Sequence, residues 1–111
     1  MPSTRDIFRK IHQSLSADPS RMSGLTAVYQ FNLTGEDPGV YQIILKEHSA
    51  AAVEGTPEVP QCTLELTASD FKDMLQGRLN GTLALMSGKL RVKGDVSLAM
   101  RLKSVLKAYS A

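Results

Sequence analysis

With 111 residues the chain has the size of one ordinary domain, and its apolar share (42%) and charged share (22%) are those of a globular protein, which excludes wholesale disorder. Cys62 is the single cysteine, so an internal disulfide is excluded, and a formal net charge of +2 excludes a strongly polyelectrolyte protein. No apolar run reaches the roughly eighteen residues of a membrane span, and Met1 to Arg9 lack the apolar stretch of a signal peptide, so one cytoplasmic domain over residues 1–111 is expected.

Ser3 or Thr4 can cap a first helix, with Asp6 well placed against the N-terminal dipole. Ile7, Phe8, Ile11 and Leu15 then share a helical face, and Asp18-Pro19 should end it. From Ala27 the period changes. Tyr29, Phe31 and Leu33 alternate with Gln30 and Asn32, Gly35 to Gly39 turn the chain, and Tyr41, Ile43 and Leu45 resume the alternation, as in a hairpin. Ser49 to Val53 reads as a weaker third strand and Glu54 to Pro60 as a loop. Cys62, Leu64 and Leu66 mark a fourth strand.

Thr67 and Asp70 have capping-box spacing ahead of a helix bearing Phe71, Met74 and Leu75, which should end at Gly77. Leu83 to Met86 reads as a further short helix. Lys89 to Lys93 alternate as a fifth strand with a basic outer face. Gly94-Asp95 then opens one last helix with Leu98, Leu102, Val105, Leu106 and Tyr109 in a stripe. Strands joined by short turns should be antiparallel, so the fold class expected is α+β, with helices covering one face of a mostly antiparallel sheet.

The polar residues form no recognisable reactive constellation. His12 falls on an amphipathic helix and His48 at a strand end, and neither has metal-ligand spacing. Cys62 lies on the apolar side of its strand, where a cysteine behaves as a small hydrophobe. Ser104 to Lys107 match Ser-x-x-Lys without the companion motifs of that enzyme class, and Gly88-Lys89 lacks the rest of a phosphate-binding loop. The Asn-x-Thr triplets at Asn32 and Asn80 are read as chance matches. No catalytic site, metal or cofactor emerges, and the chain is expected not to be an enzyme. Arg78, Lys89, Arg91, Lys93, Arg101, Lys103 and Lys107 are opposed from residue 78 onward by Asp95 alone. The basic strand lacks the interleaved aromatics of a nucleic-acid platform, so no nucleic-acid partner is expected.

Residues 61–106 carry a more specific signal. After the alternating strand come Asp70-Phe71 and a short helix ending in Gly77. Met86-Ser87-Gly88-Lys89-Leu90, the Gly94-Asp95 turn and Leu98-Ala99-Met100-Arg101-Leu102 follow in order. The segment resembles the C-terminal half of sterol carrier protein type 2 domains, and the opening helix, the Val28 to Phe31 strand and its partner at Tyr41 to Leu45 extend the likeness over nearly the whole chain. The resemblance implies a five-stranded, mostly antiparallel sheet covered by helices that enclose an apolar cavity. It also implies lipid ligands, namely fatty acids, fatty acyl-CoA, phospholipids or sterols, and some members are domains of larger enzymes. The chain departs from the family at Asn80-Gly81, where many members have proline, and its Tyr109-Ser110-Ala111 ending is not a peroxisomal Ser-Lys-Leu signal.

On this reading Phe71, Met74, Leu75, Leu83, Leu85, Met86, Leu98, Met100, Leu102 and Leu106, with Phe31 and Ile43 from the strands, are the expected lipid-binding residues. Arg21 is the expected partner of a lipid headgroup, because a carboxylate or phosphate cannot be buried unpaired. Lys89, Arg91 and Lys93 should point away from the inner face and could meet an anionic membrane. A protein-interaction module, or an accessory domain without a ligand of its own, is the alternative.

Overall fold

The computed structural model describes residues 2–18 and 25–110. Helix α1 spans Thr4–Ala17 and starts where Ser3 Oγ accepts the Asp6 N–H at 3.1 Å. It buries Ile7, Phe8, Ile11 and Leu15, the stripe expected from their spacing. Each such side chain contributes roughly 1.5–3 kcal/mol, enough to hold a helix that would be marginal alone.

Five strands follow, β1 (Ala27–Thr34), β2 (Gly39–Leu45), β3 (Ala50–Glu54), β4 (Cys62–Thr67) and β5 (Arg91–Gly94), and they form one sheet in the order β3-β2-β1-β4-β5. The β1–β2, β2–β3 and β4–β5 pairs are antiparallel. The β1–β4 pair is parallel, because the chain leaves the β3 edge and crosses to the far side of β1 before resuming. The expectation of an α+β fold with a mostly antiparallel sheet is met.

Helix α2 (Ala68–Leu75) begins at Thr67, whose Oγ1 accepts the Asp70 N–H at 3.0 Å. Helix α3 (Gly81–Met86) begins at Asn80, whose Oδ1 takes the Thr82 N–H at 2.8 Å and the Leu83 N–H at 3.3 Å. The Asn80-Gly81 departure is therefore a helix start. Strand β5 begins two residues later than the alternation from Lys89 suggests. The N–H groups of Lys89 and Leu90 are held by the Ala84 carbonyl at 2.9 and 3.1 Å, closing α3 before a ladder can form.

The single last helix expected is divided into α4 (Val96–Met100), α5 (Leu102–Leu106) and a 3-10 turn over Lys107–Ser110. The break has a visible cause. In a continuous helix the Leu98 carbonyl would serve Leu102; here it receives the Tyr29 hydroxyl at 2.6 Å and the Arg101 N–H at 3.1 Å.

The two faces of the sheet differ. Tyr29, Phe31, Tyr41, Ile43, Cys62 and Leu64 lie buried in the core that the helices cover. The opposite face carries a chain of side-chain amides. Gln42 is fully buried and donates to Gln30 Oε1 at 2.9 Å; Gln30 donates to Asn32 Oδ1 at 3.0 Å. The loop from β3 to β4 crosses this face, exchanging bonds between the Glu58 backbone and the Gln42 amide at 2.8 and 3.2 Å. Asn32, one of the two sequon asparagines, is thus part of a packed sheet.

Polar contacts tie α1 to the sheet and to the β1–β2 turn. His12 Nδ1 accepts the Ala52 N–H of the edge strand β3 at 3.1 Å, which places the neutral ring's proton on Nε2, 3.3 Å from Ser16 Oγ. At the other end Asp37, in the left-handed region at φ 59°, accepts the Thr4 N–H at 2.6 Å and the Lys72 ammonium at 2.9 Å on the same carboxylate oxygen. The Lys72 hydrogen bond, helped by Thr4, lowers the Asp37 carboxyl from 3.8 to about 2. A depressed folded-state value contributes stability above the ordinary carboxylate range, and that contribution is lost as pH falls from about 4 toward 2. Asp37→Asn keeps a residue that tolerates the left-handed backbone. It should lower the melting temperature at pH 7 and flatten its acid dependence over that window, as scanning calorimetry at several pH values would show.

Candidate functional site

The space between the sheet and the helices gathers most of the apolar residues singled out from the sequence. Phe31 and Ile43 come from β1 and β2, Phe71 from α2, Leu98 from α4 and Leu102 from α5, all buried. Met74, Leu75 and Leu106 are partly buried and pack against the same core. At its centre the Phe8 ring stacks on Tyr41, with centroids 4.3 Å apart, and on Phe71 at 5.3 Å, while Phe31 meets Phe8 and Phe71 at a tilt. Offset and tilted ring pairs of this kind add about 0.5–1.5 kcal/mol each beyond area burial.

Four of the expected lipid-binding residues are not brought to this interior: Leu83, Leu85, Met86 and Met100 are exposed. The reason is geometric, since α3 buries only Ala84 and α4 only Leu98. Arg21, the expected headgroup partner, lies outside the described residues. Lys89, Arg91 and Lys93 are exposed. In register Arg91 stands beside Glu65 and Lys93 beside Thr63, on the face away from the helices, as their alternation suggests.

Residues 8–107 match the SCP-2 sterol transfer family. The chain belongs to that family. It is 36% identical over 102 residues to hydroxysteroid dehydrogenase-like protein 2 of Mus musculus, a match that takes in 91% of this chain and 20% of the relative. The chain therefore spans about a fifth of the length of that relative. Among solved structures, sterol carrier protein 2 from Yarrowia lipolytica in its apo form superposes with a TM-score of 0.78 at 26% identity, over 93% of this chain and 88% of that one. A palmitated sterol carrier protein 2-like 2 from Aedes aegypti gives 0.72 at 25% identity, over 95% of each.

Within this family member the interior has little reactive chemistry. Burial pushes the Cys62 thiol above its ordinary value, so the thiolate of a nucleophile is disfavoured. His48 is an exposed residue 3.8 Å from Glu47, and His12 is engaged by the edge strand. Among the described residues no group of three His, Cys, Asp or Glu side chains could hold a metal ion. No helix in the same residues is long and apolar enough to cross a membrane. A surface cleft of about 580 Å³ lies beside the start of α2, but Glu36, Asp37, Lys72, Asp73 and Arg78 line it. Charged walls suit an apolar chain poorly, and Asp37 and Lys72 already bind each other.

Tyr29 is the polar group that the sequence reading passed over. Its alternation marked it as core, but the partner of its hydroxyl lies in α4 and no local pattern announces it. Burial is the main cause that pushes its phenol from 10 up to about 12, with the Cys62 charge adding to it. The folded state then holds this proton more tightly than the unfolded chain. Its contribution is complete below pH 10 and declines as pH rises from about 10 toward 12. In an alkaline absorbance titration Tyr29 should ionise late, together with unfolding, beside Tyr41, whose phenol burial also raises, and Tyr29→Phe should remove part of that late step.

Proposed function

We propose that this domain is a non-enzymatic lipid carrier that takes fatty acids, fatty acyl-CoA or sterols into the apolar interior between sheet and helices. The observation that carries the reading is the convergence of Phe31, Ile43, Phe71, Leu98 and Leu102 under helices of a sterol transfer family member, with Met74, Leu75 and Leu106 at its margin. Methionine and leucine adapt to flexible apolar ligands, so selectivity among chain lengths should be loose. A chain of about sixteen carbons supplies on the order of 12 kcal/mol on burial, and association and ordering cost roughly 4 kcal/mol or more. The balance is consistent with about micromolar affinity or tighter. Arg21 is the proposed partner of an acidic headgroup, and the cytoplasm is the proposed location.

A second reading rests on the length of the relatives. The domain corresponds to a fifth of a dehydrogenase-like protein, so it could instead serve as the accessory part of a larger lipid-metabolising enzyme. Both readings are tested by extracting the purified protein with organic solvent, identifying any lipid by mass spectrometry, and titrating the delipidated protein with a fluorescent fatty acid. Stoichiometric lipid and displaceable binding near micromolar are expected. An empty protein indifferent to the fatty acid would leave the accessory reading. Unchanged affinity in Arg21→Ala would remove the headgroup assignment alone.

A further inference from the structure

Tyr29 puts a hydroxyl inside the helix-covered face of the sheet. It stands beside Phe31 on β1, with Ile43 across the β1–β2 pair and Cys62 across the β1–β4 pair. The side chain is fully buried, and its hydroxyl ends against α4. The other buried polar groups lie elsewhere or are taken. Thr4 Oγ1 donates to the Asp37 carbonyl at 2.7 Å, Gln42 belongs to the opposite face, and the Tyr41 hydroxyl lies beside Arg5. The Cys62 thiol is a weak partner by nature. Among the described residues no Lys, Arg, His, Asp or Glu is buried.

A phenol has one proton to give and lone pairs with which to accept. The Tyr29 proton goes to the Leu98 carbonyl at 2.6 Å. That carbonyl also takes the Arg101 N–H at 3.1 Å, so both of its lone pairs are used. No donor among the described residues meets the phenol oxygen in return. A buried acceptor in this state is complemented by a neutral group that brings a proton. Burial holds the phenol protonated up to about 12, so near neutral pH it offers a lone pair and not a charge. Leu98 and Ile43, its neighbours, are among the residues proposed to line the cargo interior, so the hydroxyl borders that space.

From this we infer that Tyr29 selects the head of the cargo, its oxygen accepting a hydrogen bond from the hydroxyl of a neutral lipid, an alcohol or a sterol, lodged head-inward. The inference rests on the carrier reading and narrows it. A hydroxyl donates to the phenol oxygen and leaves the bond to Leu98 intact. An ether oxygen only accepts, and it finds no donor there. An ionised carboxylate also only accepts, and its burial without a cation is prohibitive. Its proposed partner remains Arg21.

The test uses three twelve-carbon probes that differ only at the head: dodecanol, dodecyl methyl ether and dodecanoate. Each competes with a fluorescent fatty acid for the delipidated protein at pH 7. Dodecanol should bind about three- to ten-fold tighter than its ether. Tyr29→Phe keeps the ring and removes the oxygen. It should bring that ratio to about one or below, because a buried hydroxyl then lacks its partner. The ether and dodecanoate should bind this variant as they bind the parent. A melting curve shows that the variant is folded, and the parent ratio tests the inference without it. Equal affinity of the parent for alcohol and ether, or a ratio that Tyr29→Phe leaves unchanged, would overturn the inference, while bound dodecanoate would keep the carrier reading. An equal loss of all three probes in Tyr29→Phe would assign the phenol to the fold alone and overturn it too. A protein that binds none of the three loses the carrier reading, and this inference with it.

Discussion

Phe8→Ala is expected to lower the unfolding free energy by about 3–5 kcal/mol, read as a shift in the urea midpoint without a change in slope. Phe8 is 2% exposed and joins three elements. Its ring lies parallel to Tyr41 of β2 and Phe71 of α2, within 1° and 4°, and tilts against Phe31 of β1. Removing it empties the space where α1 is fixed to both the sheet and α2. The neighbouring rings cannot all close in, because Tyr41 and Phe71 sit on opposite sides of the vacancy's flat faces. The expected cost is a large share of the roughly 5–15 kcal/mol that holds a typical domain together. Phe8→Leu, which refills most of the volume but not the stack, should cost about 1.5 kcal/mol or less. A similar cost for both variants would show that the rings contribute through geometry more than through bulk.

Gly94→Ala should be nearly as severe, with an expected loss of roughly 3 kcal/mol or more. Gly94 has φ of +92°, and a Cβ there would be driven into the carbonyl oxygen of Gln61. That oxygen belongs to the backbone and already accepts the Asp95 N–H at 2.8 Å, so it cannot swing aside as a side chain would. The damage falls where β5 ends against Cys62 and α4 begins. Gly88→Ala provides the control. Its φ is +81° but its Cβ would meet nothing within 4 Å, so only the left-handed penalty of about 1–2 kcal/mol applies. Equal midpoints for the two variants in urea would show that the Gln61 contact is unimportant.

Much of the architecture was legible before any coordinates. The stripe Ile7, Phe8, Ile11 and Leu15 and the alternations around Phe31, Ile43 and Leu64 are periodic signals, and burial follows them. Caps were legible too, because Ser3 and Thr67 are local devices that need only the next turn of chain. The misplaced boundaries have non-local causes. Tyr29 reaches from β1 to the Leu98 carbonyl and divides the last helix, and no window of neighbouring residues contains that contact. The lipid-binding set shows the same limit. Hydrophobicity named Met86 and Met100 beside Phe71 and Leu102, yet their exposure depends on how few residues α3 and α4 can press against the core.

The run of amides on the far side of the sheet has a bearing on how the chain finds its pairing. Alternation alone would let β2 slide along β1 by two residues and still present one greasy face and one wet face. Gln42, fully enclosed and bound to both Gln30 and Glu58, removes that freedom, since after such a slide its amide would be sealed away from the partners it needs. A hairpin slipped in that way would enclose the Gln42 amide without the Gln30 and Glu58 bonds it has in the native alignment, so the far side of the sheet selects one register among those that alternation would accept.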